Sequence, residues 1–381
     1  MFFPKLYKTL IVLTNFSKFF YLIPAKYKKM QVRSFLNRKI KNNTILITEP
    51  SNSHGEVIPS IIKYCQDLGF NCEVLITDEM KNQKPLKMFK NLKVFTFNLF
   101  QYAEIIKSEK LNKYRNIIFT SSRVYYDSPR IHERFVFDYF KGNKIDKNKI
   151  ILLEHHLDLL DEKKEYKFIG LPEYSARFGA KMVNTSYFGC YKQHNKNKTT
   201  SFIIVGAVET ERKNHNLLLN ACRSLLDNGI DNFEVVVIGR GKLEINNPEL
   251  KQKIHFLGRL KYNKMYKRLN KSDFFLPLLD PENPEHDRYI TVGTSGSYQL
   301  VYGFQKPCLI HEKFAAPHFL NNENSIIYSK NEDLYKAMKQ AIDMNNSEYQ
   351  KMQENLKVLS NNLYNKSLEN LRNTIEESIN V

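Results

Sequence analysis

The stretch Thr44–Thr77, TILITEPSNSHGEVIPSIIKYCQDLGFNCEVLIT, decides the fold. TILITEP is a short apolar run bounded by a proline, the pattern of a strand covered on both faces. The polar loop SNSHGE follows. VIPSIIKYCQDLGF then repeats apolar residues at helical spacing, and CEVLIT reads as a second strand. Strand, loop, helix and strand in this order open a parallel, doubly wound α/β sheet. Further strands are expected at KVFTF, NIIFTSS and KIILLEH.

From Thr200 the pattern restarts. SFIIVGAV is a strand with a glycine at its end, and NHNLLLNACRSLLDNG is a helix closed by Gly229. FEVVVIGRG, KIHFLG and FFLPLL read as strands, YNKMYKRLNKSD as a helix, and KPCLI and SIIYS as the last strands. The expected division is a basic N-terminal segment (1–40), a first αβ domain (41–195), a second (196–345) and C-terminal helices (346–381). The polar run YKQHNKNKTT joins the two domains.

With 381 residues, 42% of them hydrophobic, the chain can furnish two cores. Its five cysteines (65, 72, 190, 222 and 308) show no CxxC spacing, which argues against a disulfide framework or a zinc site. Net charge is +18, and residues 1–50 carry ten Lys or Arg against one acid, Glu49. Leu6, Leu10, Leu13, Phe16, Phe20 and Ile23 recur there in a helical rhythm. The longest uncharged stretch, Thr9–Ser17, is far shorter than the ~20 residues that span a bilayer, and no small-residue cleavage site follows. A basic amphipathic helix on an anionic membrane surface is the expectation, and a helix packed on the protein's own surface is the alternative. Nucleic acid is a weaker explanation of the charge, because no zinc-finger, RGG or RNP-like motif accompanies it.

In TSGSYQLVYGFQKP (Thr294–Pro307) two hydroxyls flank a glycine at the start of a helix. An ordinary N-cap accounts for that, and so does an anion site built from exposed amides and hydroxyls.

IIVGAVETERKNHNLLLNA, FEVVVIGRG, IHFLGRL, KSDFFLPLL and the TSGS stretch, in this order, resemble the donor domain of GT-B glycosyltransferases. That resemblance implies two Rossmann-like domains facing a cleft, a nucleotide-sugar donor and no bound metal or other cofactor. It makes Lys213, with Arg212 beside it, a ligand of the donor diphosphate. It places Gly206 and Gly239 at strand ends beside the donor, Gly258 next to the nucleobase, and Thr294, Ser295, Gly296 and Ser297 at the diphosphate. Many retaining members carry paired glutamates where Thr291 or Val292 and Gln299 or Leu300 stand here. Glu282, Glu285 and Asp287 lie just upstream, in a loop that reads as solvated.

Transfer to a hydroxyl needs a base, and a positioned His or carboxylate is the usual one. His54 and Glu56 follow the first strand. His155, His156 and Asp158 lie in LLEHHLDLL, at the end of the strand KIILLEH, where retaining relatives hold a histidine near the donor sugar. The expected function is sugar transfer to a cell-surface glycan or lipid-linked acceptor, by a cytoplasmic protein held on the inner face of the membrane. A sugar-nucleotide epimerase and a non-catalytic binder of sugar nucleotides or membrane surface are the alternatives.

Overall fold

The structure, a computed structural model, describes residues 29–51, 54–124, 134–135, 144–159, 166–189, 191–208 and 213–377. Most of the basic N-terminal segment, together with Cys190 and Arg212, lies outside them.

The first domain contains seven parallel strands: β1 (Thr44–Glu49), β2 (Asn71–Thr77), β3 (Lys93–Phe97), β4 (Asn116–Phe119), β5 (Ile150–Glu154), β6 (Lys167–Gly170) and β7 (Lys181–Met182). Their order is β3-β2-β1-β4-β5-β6-β7, so the winding reverses between β1 and β4. Every residue of β1 is buried because both sheet faces are covered. Ile45 and Ile47 join the core beneath helix α1 (Ile58–Asp67), whereas Leu46 points to the opposite core. Two more helices, α2 (Asp78–Gln83) and α3 (Leu99–Ile106), follow β2 and β3. Residues 29–37 are also helical and send Val32 and Phe35 into the core behind β1.

The second domain has β8 (Thr200–Val205), β9 (Phe233–Ile238), β10 (Ile254–Phe256) and β11 (Phe274–Phe275) in the order β10-β9-β8-β11. Strands β12 (Leu309–His311) and β13 (Ile326–Tyr328) pair in parallel. A parallel bridge from Phe275 to Cys308 continues the sheet into them. The resulting order, third-second-first-fourth-fifth-sixth, is that of a dinucleotide-binding sheet. The helices here are α4 (His215–Asp227), α5 (Pro248–Lys253), α6 (Tyr262–Lys271), α7 (Arg288–Thr291), α8 (Gly296–Gly303), α9 (Glu312–Ala315) and α10 (Leu334–Asp343). The polar join is not a free linker. His194 and Asn197 bond the fully buried Asp273 carboxylate, which also receives the Ser201 amide.

The tail forms one long helix, α11 (Asn346–Glu376), started by a capping box between Asn345 and Glu348. Its first turns bury Tyr349 in the second domain, and its last turns bury Leu371 and Ile375 in the first. Between them Ser367 Oγ accepts the Asn184 amide at 2.8 Å.

Candidate active site

The carboxyl ends of both sheets converge on one cleft, where open α/β sheets bind their ligands. On the first-domain side, strand β1 ends at Glu49, which is fully buried. It accepts the Ser51 amide (2.8 Å), the Ser51 hydroxyl (2.7 Å) and the Thr120 hydroxyl (2.6 Å). Burial pushes the Glu49 carboxyl above its ordinary range, against these hydrogen bonds and the charge of His54. Glu154 ends β5 in the same manner. Its Oε1 takes the amides of His155 and His156, both at 2.8 Å, and its Oε2 takes the Ser122 hydroxyl.

These two anchored loops bring His54 and His155 together. The rings stack with centroids 4.2 Å apart and planes at 24°. His54 has a φ of +30°, in the left-handed region that side chains rarely occupy. Its Nδ1 lies 3.6 Å from Glu56 Oε1, and the other Glu56 oxygen accepts the Tyr262 hydroxyl, from α6, at 2.7 Å. Burial alone would depress the His54 pKa, but Glu56, with Glu49 and Glu154 behind it, lifts it above the ordinary imidazole value. Burial works against the Glu56 charge, yet His54 and Tyr262 together hold the carboxyl below its usual range.

On the second-domain side, Gly206, Gly239 and Gly258 lie side by side just past β8, β9 and β10. The Gly206 amide bonds Ile238 O at 2.9 Å, and the Gly239 amide bonds Gly258 O at 3.1 Å. A Cβ at Gly239 would fall 1.6 Å from the Gly206 carbonyl oxygen, so the backbones approach too closely for any side chain. At Gly206 (φ +142°) a Cβ would fall 2.6 Å from Lys213 Cε, so this glycine makes room for the lysine stem.

Helix α4 begins at His215 with Asn214 as its cap, so Lys213 precedes the helix rather than opening it. Nor is it a solvated basic residue: only 4% of it is exposed. Its ammonium donates to Pro277 O (2.7 Å) and Ser297 Oγ (3.4 Å). No carboxylate pairs with it among the described residues, and burial lowers its pKa to about 7. Ser297 belongs to the first turn of α8, which Ser295 caps through a 3.3 Å bond to the Ser297 amide. A Cβ at Gly296 would meet nothing within 4 Å, so the space before this helix end is open. Thr294, just upstream, keeps a buried Oγ1 without a partner.

His156 faces this second domain. Arg288 Nη2, from α7, lies 2.8 Å from its Nδ1 and 3.1 Å from its Nε2. A guanidinium only donates, so the imidazole accepts. His156 also bridges Gly293, and the Leu157 amide bonds Val292 O at 2.6 Å. Glu282, Glu285 and Asp158 are exposed, and Asp287 is paired with Lys313 at 2.6 Å.

Two solved structures share this fold. A glycosyltransferase from Rickettsia africae aligns over 90% of this chain and 100% of its own, at 14% identity and TM-score 0.56. A TarM mutant of S. aureus, in complex with fondaparinux, alpha-GlcNAc-glycerol and UDP, aligns over 87% and 99%, at 10% identity and TM-score 0.56. Residues 191–282 match the family model for glycosyl transferases group 1. The chain has the GT-B fold. No curated protein matches it in sequence.

In this GT-B fold the sequence candidates fall into two groups on facing walls. His54, Glu56, His155 and His156 stand on the first-domain wall. Gly206, Lys213, Gly239, Gly258, Thr294, Ser295, Gly296 and Ser297 stand on the other, and Arg212 is outside the described residues. Sequence reasoning passed over Glu49, Glu154, Tyr262 and Arg288. For the two glutamates a signal was present: each is an acid at the carboxyl end of an apolar run.

Proposed function

We propose that the enzyme transfers a sugar from a nucleotide-sugar donor to a hydroxyl of a cell-surface glycan or lipid-linked acceptor. The buried ammonium of Lys213 beside the α8 N-terminus carries the reading of the donor site. An ammonium removed from water and given no carboxylate partner is costly to keep charged. A diphosphate oxygen, met also by the α8 amides and the Ser295 and Ser297 hydroxyls, would satisfy it.

Across the cleft His54 takes the proton of the acceptor hydroxyl, and Glu56 orients the imidazole. The acceptor oxygen then bonds the anomeric carbon as the bond to the diphosphate breaks, and the nucleoside diphosphate leaves. Lys213 and the α8 dipole stabilise that leaving charge, so the reaction as proposed needs no bound metal. Residues 1–28, basic and apolar in a helical rhythm, hold the enzyme on the cytoplasmic face of the membrane.

Incubation with a panel of sugar nucleotides, with and without acceptor, tests the reading. Glycoside formation only in the presence of acceptor supports it. Epimerised donor without acceptor, or binding without turnover, overturns it. NMR of the product assigns the anomer.

A further inference from the structure

We propose that Tyr262, a residue of the second domain, is a positioning residue that holds the His54–Glu56 pair from the opposite wall of the cleft. The inference rests on the reading of His54 as the base. Glu56 divides its two oxygens between the domains: Oε1 faces His54 Nδ1 at 3.6 Å, and Oε2 accepts the Tyr262 hydroxyl at 2.7 Å. With one oxygen fixed, the carboxylate cannot rotate away from the imidazole without breaking a hydrogen bond.

Tyr262 is itself held. It is the first residue of α6, and its ring packs against cores of both domains and lies 6.0 Å from that of Tyr266. A Cβ on Gly55, between His54 and Glu56, would fall 3.0 Å from Tyr262 Cε2 and 2.4 Å from Met80 Sδ, so a larger residue there would have to displace Met80 and press on the ring. The link also has a direction. Tyr262 follows Gly258 by four residues in the connection from β10 to α6, the segment proposed to border the nucleobase. Occupation of the donor site and orientation of the base therefore share one short piece of backbone.

The charged groups facing His54 are Glu56 on its own loop, Glu49 from β1 and Glu154 from β5, with the His155 ring stacked on it. None of these changes in Tyr262→Phe, which keeps the ring and removes the hydroxyl. The experiment uses full-length protein and follows the His54 imidazole by NMR titration beside the pH profile of kcat/KM. The freed carboxylate turns to water, so the His54 pKa falls toward the ordinary value. Turnover falls roughly fivefold, the worth of one hydrogen bond, with donor KM nearly unchanged. Glu56→Gln combined with Tyr262→Phe loses no more than Glu56→Gln alone, because Tyr262 acts through Glu56. An unchanged or raised His54 pKa, or fully additive losses, overturns the proposal. Should His54→Ala retain turnover, the base reading fails, whereas the NMR titration still decides whether Tyr262 positions the pair.

Discussion

The imidazoles of His54 and His155 stack at 4.2 Å although 101 positions separate them in the chain, because Glu49 and Glu154 anchor the two loops that carry them. The stack fixes the plane of His54 and leaves its edge to Glu56. His54→Ala is expected to reduce turnover by ~10²–10⁴ with donor affinity nearly unchanged. His156, on Arg288, lies on the donor side of the same loop, so His156→Ala should change the affinity for sugar nucleotide relative to free nucleotide. Steady-state kinetics with calorimetry of both variants checks the division. Full activity in His54→Ala passes the role to the His155–His156 loop.

Lys213 supplies a second expectation. Charge-assisted contacts to phosphate are worth about 1.5–3 kcal/mol each, so Lys213→Ala should weaken UDP or GDP binding by roughly tenfold or more. With its pKa lowered to about 7, the empty protein loses this proton as pH rises through neutrality. A bound diphosphate restores the charge. Nucleotide binding should then take up a proton above neutral pH and weaken there, by at most roughly tenfold per pH unit. Calorimetry in buffers of different ionisation enthalpy measures that uptake directly. Unaltered affinity in Lys213→Ala removes the residue from the site.

Two glycines should separate folding from binding. Gly239→Ala places a methyl against the Gly206 carbonyl oxygen and is expected to lower the melting temperature. Gly296→Val projects into open space, so it should leave melting nearly unchanged and weaken nucleotide binding more than Ser297→Ala does. Thermal denaturation and calorimetry on the three variants test the contrast. A Gly296→Val protein with intact affinity shows that the ligand does not approach this helix end.

Membrane attachment is tested by deletion. Removal of residues 1–28 spares the helix over 29–37, whose Val32 and Phe35 are part of the first core. The shortened protein should leave the membrane fraction and keep its activity on a short, soluble acceptor. Salt-sensitive sedimentation with anionic liposomes after the deletion locates the basic surface elsewhere.

The strands were legible wherever apolar runs were long. TILITE and FEVVVI each bury both faces, and no solvated element has that composition. Strands β6 and β7 were not read, because segments of four and two residues carry no periodicity. FFLPLL shortened to Phe274–Phe275, and Leu278 at φ +53° has left the extended conformation. The burial of Lys213 was hidden too. Within ETERKNHN a lysine reads as solvated, and only the space left by Gly206 lets it fold inward. Tyr262 read as one apolar position of α6, since its partner Glu56 lies 206 residues away and in the other domain.

Helix α11 has a consequence for the order in which the protein can be completed. Leu371 and Ile375 fill the face of the first core that holds Ile45 and Ile58, yet they are synthesised only after the whole second domain. The amino-terminal half therefore leaves the ribosome with an apolar surface that its own sequence cannot close. It waits for the whole second domain before that surface is sealed. Cutting the chain at the join would give two fragments, neither with a finished interior, and truncation before Leu371 would unsettle the half of the molecule made first.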